Sequence, residues 1–93
     1  MEVFRDKLGR RIWFSVSHSQ VQIVLQDLAE DFEYERTATV NDIQKICTCL
    51  NSNISNLENI LIAKFGGKPN SFDLITDFFT ENNIDYEYYS GAN

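Results

Sequence analysis

His18 is the single histidine of the 93-residue chain, and Cys47 and Cys49 are its two cysteines. Serines at 15, 17 and 19 crowd the histidine. These residue types make nucleophile–base pairs and metal sites. A base needs its nucleophile within hydrogen-bond reach, and no acidic neighbour in sequence is there to orient His18. His18 is therefore expected at the surface, and a small hydrolase built on it stands third among the functional readings. On a helix, Cys47 and Cys49 at i and i+2 diverge by about 200°. Their sulfurs then neither share one ion nor close a bridge, and tetrahedral zinc needs more donors than one added histidine. Cys47 is expected in the core and Cys49 partly exposed.

Two further patterns resemble binding motifs and fall short. Phe65-Gly66-Gly67-Lys68-Pro69-Asn70-Ser71 leads into a helix start, where phosphate is favoured. Its spacing matches neither GxxxxGK[ST] nor GxGxxG. The carboxylates follow no EF-hand loop and no HExxH or DxD pattern. No cofactor, no metal and no enzymatic activity are expected.

What remains is acid set beside aromatic side chains. Residues 71–93 carry Asp73, Asp77, Glu81, Asp85 and Glu87 with Tyr86, Tyr88 and Tyr89, and no lysine or arginine. A second cluster runs through Asp27, Glu30, Asp31, Glu33, Tyr34 and Glu35. Tyrosine is an interface residue type, and exposed carboxylates steer a basic partner. Trp13 is a further candidate anchor on the second face of its strand, unless that face packs under a helix. The expected partner surface is therefore Asp85, Glu87 and Tyr89, extended by Asp73 and Asp77, then Asp27, Glu30, Asp31, Glu33 and Glu35, then Trp13.

The charge map agrees with that choice. Net charge is −6, with +2 on residues 1–12 and hence −8 on the rest. Such a field repels nucleic acid and anionic lipid and attracts basic protein. The length suits one domain over residues 1–93, and no internal repeat is visible. No apolar stretch approaches the roughly 20 residues of a membrane span, and the first residues have no apolar core of a signal peptide. Two cysteines are too few for a disulfide scaffold. A cytoplasmic setting is expected.

The elements that must position these residues follow from periodicity. Val3–Arg5, a turn at Asp6–Gly9 and alternation over Arg10–Ser17 predict a β-hairpin. Ser19 with Gln22 has the form of a capping box, and Val21, Val24, Leu25, Leu28 and Phe32 then predict a helix. Val21, Ile23 and Leu25 also alternate, which is the competing strand reading. Phe32–Val40 predicts a strand, and Asn41 with Gln44 opens a helix through Leu50, with a short second piece at Ile54 and Leu57. The apolar run Glu58–Phe65 predicts a central strand. Ser71 caps a third helix that ends at Asn82, and Ile84–Tyr89 predicts a last strand. The order ββαβαβαβ gives an α/β fold, a mixed sheet with helices packed on it. The expected core is Ile12, Phe14, Val16, Val21, Leu25, Leu28, Ile43, Ile46, Leu50, Ile60, Ile62, Phe72, Ile75 and Phe78.

Functionally, a compact acidic chain without catalytic motifs suits an inhibitor of a basic protein, most concretely an immunity protein or antitoxin against a nuclease toxin. The alternative is a structural or regulatory subunit that homo-oligomerises through a sheet edge or its Tyr-rich last strand. A monomer or a homodimer fits either.

Overall fold

Two periodicities compete over residues 21–29, and alternation wins. In the computed structural model this segment is a strand. The structure describes residues 1–29 and 32–92, with only the backbone described at Ala29 and Phe32. The elements run β1 (Glu2–Arg5), β2 (Arg10–Val16), β3 (Val21–Ala29), β4 (Phe32–Val40), α1 (Ile43–Leu50), α2 (Ile54–Phe65), α3 (Ser71–Glu81) and β5 (Glu87–Ala92). The strands form one sheet in the order β1-β2-β3-β4-β5. Every neighbouring pair is antiparallel.

This corrects the expected alternation of helices and strands and the expected mixed sheet. Two segments are responsible. The hydroxyl expected to cap a helix is replaced by a turn: Ser17 N–H donates to Gln20 O at 2.9 Å. Ser17 Oγ meanwhile accepts from Gln20 N–H at 3.2 Å. That turn closes a β2–β3 hairpin that sets Val21 opposite Val16, Ile23 opposite Phe14 and Leu25 opposite Ile12. Each pair buries β-branched or large apolar groups on one face, more than an isolated helix stripe offers.

The second segment is Glu58–Phe65, expected as a central strand and observed as the body of α2. Asn53 starts this helix, its side-chain oxygen accepting from Asn56 N–H at 3.1 Å. Leu57 and Leu61, four apart on one face, are fully buried. A short apolar run has no periodicity of its own, so the cap ahead of it decides.

β1 to β4 form a meander. Gly9 in the first turn has φ of +101°. A Cβ there would lie 2.2 Å from Leu28 O, so the close approach of the two backbones needs glycine. The chain then leaves the sheet at Val40, runs through three helices and returns to the same end, where Glu87 pairs with Thr39. Asp42 caps α1 by accepting from Lys45 N–H at 3.2 Å. α3 stops at Asn82; Asn83 takes a positive φ of 56°. Ile84 N–H then donates to Phe79 O at 2.8 Å, which tucks Ile84 into the core. The last strand therefore begins at Glu87 rather than Ile84.

The helices lie on one face of the sheet, α2 against β2 and α3 against β3. Ile12, Phe14, Val21, Leu25, Ile43, Ile46, Phe72 and Ile75 are buried as expected. Ile23, Ala38, Val40, Cys47, Leu57, Leu61, Phe79 and Ile84 complete the core. Leu28, expected inside on a helix stripe, is 42% exposed on the strand. Ile60 is only half-buried, at the flank of the helix face whose centre holds Leu57 and Leu61. Among the described residues no helix is long and apolar enough to cross a membrane.

Candidate protein-docking face

Antiparallel pairing fixes which residues share a face. Under the helices lie the rows Phe14–Ile23–Ala38–Tyr88 and Ile12–Leu25–Arg36–Ser90. The opposite face carries the rows Trp13–Val24–Thr37–Tyr89, Arg11–Gln26–Glu35–Gly91 and Ser15–Gln22–Thr39–Glu87. None of these twelve residues is fully buried. The face is open and spans four strands. Trp13 thus belongs to the open face and not to a surface beneath a helix.

At one side of the open face Trp13 sits half-buried under a guanidinium, with Arg11 Cζ 4.8 Å from the ring centre. Arg11 donates to Glu2 at 2.7 Å. Arg5 reaches the same carboxylate at 3.0 and 3.3 Å. The hydrogen bonds from Arg11 and then Arg5 hold Glu2 below the usual glutamate range. Fixed charge pairs of this kind keep the indole in one place.

At the other side the aromatic is Tyr89, 60% exposed. Its hydroxyl lies over Gly91, where an added Cβ would stand only 2.4 Å away. The ring thus covers the bare backbone of a glycine on an edge strand. A depression of about 180 Å³ next to it is lined by Gln26, Leu28, Glu33, Glu35 and Tyr89, among others. The structure brings Trp13, Glu33, Glu35, Glu87 and Tyr89 onto one face.

It does not bring the other acidic residues there. Asp27 lies on the helix side, gripped by Arg10 at 2.8 and 2.9 Å. Arg10 also donates to Pro69 O at 2.8 Å. Asp73 accepts from Arg36 at 2.9 Å. Arg36 stacks on Phe72 at 4.5 Å and donates to the Tyr88 hydroxyl at 2.8 Å. Burial opposes the Arg36 cation, and its bonds to Tyr88 and Asp73 more than offset that. Burial also raises the Tyr88 phenol, but the bonds from Arg36 and Tyr34 win and hold it below the usual tyrosine range. Burial, then the bond to Tyr88, pushes Tyr34 up. Asp77 and Asp85 are exposed and form no ion pair among the described residues. Glu30 and Asp31 lie outside the described residues.

The tail that lacks basic residues in sequence thus acquires Arg36 by folding. That pairing joins residues 37 apart in the chain, and no local pattern announces it.

His18 is exposed in the β2–β3 turn. A shallow depression brings it near Ser17, Ser55 and Glu58. Both hydroxyls are engaged elsewhere: Ser17 Oγ with Gln20 and Ser55 Oγ with Asn53 Oδ1 at 2.7 Å. Among the described residues no hydrogen bond links His18 to either serine, and no group of three metal-ligating side chains is found. Cys47 is buried, Cys49 exposed, and both are free thiols. The Gly66-Gly67 loop follows a helix rather than a strand. The chain matches no family model, no curated protein and no solved structure.

Proposed function

We propose that this protein is a small acidic binding protein that docks on a basic protein and inhibits or neutralises it, and that the open sheet face is its docking surface. The concrete form is an immunity protein or antitoxin against a nuclease toxin. The observation that carries the reading is the uncovered face, on which Trp13, Val24, Thr37 and Tyr89 form one row across four strands. Large amphipathic rings at both ends of such a row supply buried area at low entropy cost, and Glu33, Glu35 and Glu87 around Tyr89 favour a cationic surface. Free thiols at Cys47 and Cys49 fit a reducing, cytoplasmic setting.

The test uses the full chain as immobilised bait, with a Trp13→Ala/Tyr89→Ala variant as control, followed by binding kinetics on the purified captured protein. A basic protein that the wild type retains and the variant loses, with affinity that falls as salt rises, is the expected result. Equal retention by both baits removes the open face from the interface. An acidic partner, or binding indifferent to salt, overturns the charge complementarity.

A further inference from the structure

The two edges of the sheet are treated differently. β1 is short, and its register shifts between Glu2 and Phe4. The loop between α2 and α3 covers it, with Gly67 N–H donating to Val3 O at 2.8 Å. A short, irregular and covered strand is a poor template for further pairing. β5 has none of these guards. It pairs with β4 from Thr39–Glu87 to Tyr34–Ala92 without a shift. Among the described residues, no backbone hydrogen bond outside that ladder involves it. It contains no proline, lysine or arginine, the residues that usually blunt an exposed edge.

We infer that β5 pairs with β5 of a second copy, joining two sheets into one ten-stranded antiparallel sheet. The sequence EYYSGA is self-complementary about Tyr89. A two-fold axis perpendicular to the sheet keeps each face on its own side. Centred on Tyr89, it sets Tyr89 against Tyr89, Tyr88 against Ser90 and Glu87 against Gly91. The single charge of the strand then meets the residue without a side chain, and the two Glu87 groups stand about 13 Å apart along the strands. On the open face the row Trp13–Val24–Thr37–Tyr89 continues through the axis into its mirror on the second copy. Paired aromatics at the centre of an antiparallel ladder are favourable, and like charges directly opposite are avoided.

The whole-molecule charge opposes the pairing, because each copy carries −6. Salt screens that repulsion, so this association strengthens as salt rises. Docking of a basic partner weakens under the same change, which separates the two proposals.

The experiment measures molar mass by light scattering and sedimentation equilibrium from about 10 µM to 1 mM, the range of small interfaces, at low and high salt. The expected result is a concentration-dependent dimer, tighter in high salt, and weakened about tenfold or more by Tyr89→Lys, which puts like charges at the axis. Should that variant fail to fold by circular dichroism, Tyr89→Cys in a Cys49→Ser background decides: it forms a disulfide-linked dimer on mild oxidation. A chain that stays monomeric at every concentration and both salts overturns the inference. So does a dimer that Tyr89→Lys leaves unchanged and Tyr89→Cys does not crosslink.

Discussion

Arg36 shows how a single side chain is held by unlike forces. It stacks on Phe72 and donates to both Asp73 and Tyr88. Its own side chain is 24% exposed, while that of Asp73 is 55% exposed. An ion pair so open to water is worth about 1 kcal/mol or less. The packed stem and the stacked guanidinium are worth more, about 2 kcal/mol together. Asp73→Asn is therefore expected to change unfolding stability little, and Arg36→Ala to lower it by about 2 kcal/mol, read from urea titrations. Equal losses would mean that the ion pair, not the stack, fastens α3 to β4. Glu2 gives a prediction of a different kind. Its folded-state value is lowered by Arg11 and Arg5. A depressed carboxyl stabilises the fold above its unfolded value and loses that contribution as pH falls through the lowered one. Stability should thus decline on acidification through and below the ordinary glutamate range, and Glu2→Gln should flatten that limb. The same slope in both proteins would show that Glu2 is not linked to folding.

At the scale of the element, α2 provides the sharpest contrast. As a strand buried on both faces, residues 58–65 would tolerate a charge at neither Leu61 nor Ile62. As a helix they present Leu61 to the core, fully buried, and Ile62 only in part. Leu61→Asp should unfold the chain, since an unpaired buried charge costs several kcal/mol of a total of about 5–10. Ile62→Asp should leave a cooperative thermal transition, lowered but present. Loss of the transition in both variants would restore the strand. The same segment shows what was legible in the sequence. The first hairpin, β4, α1 and α3 were legible because strict alternation or a wide apolar stripe marks them, although α1 and α3 start at Asp42 and Asn70 rather than at the expected caps Asn41 and Ser71. β3 and α2 were not. Val21–Leu25 fits both periods, and the partner strand that settles the matter is chosen by the turn at Ser17. Residues 58–65 fit neither period, and Asn53 five positions earlier settles it. The candidate face was legible in part. Trp13, Glu87 and Tyr89 could be placed on outward faces of their strands. Their meeting on one surface depends on the order of strands, which periodicity does not contain. Asp27 and Asp73, expected on the partner surface, are held by arginines that arrive from 17 and 37 positions away, which no local pattern announces.

For the whole molecule, charge works in opposite directions on the two proposed associations. All four arginines donate to carboxylates within the fold, so the guanidinium charges are already matched. The surplus of acid stays outside, at positions such as Asp77 and Asp85, which are exposed and form no ion pair among the described residues. Neither lies in β5 nor on the rows of the open face. Reversing both, as Asp77→Lys/Asp85→Lys, moves the net charge from −6 to −2 and changes no residue of either surface, Asp85 sharing a depression with Thr39 and Glu87 at its border. Long-range charge acts on encounter rather than on the bound contacts, so a basic partner should associate several-fold more slowly, with little change in its dissociation rate. The effect should be large near 0.01 M salt, where the screening length is about 30 Å, and shrink at 0.15 M, where it is about 8 Å. Self-pairing should respond with the opposite sign: two copies at −2 repel less than two at −6, so the dimer tightens, again chiefly at low salt. Stopped-flow association and low-salt light scattering on this one variant read both effects. A slower partner with a tighter dimer supports the two proposals together. An unchanged on-rate shows that the acidic surplus does not steer the partner, and an unchanged self-association shows that no interface brings two copies of this charge together.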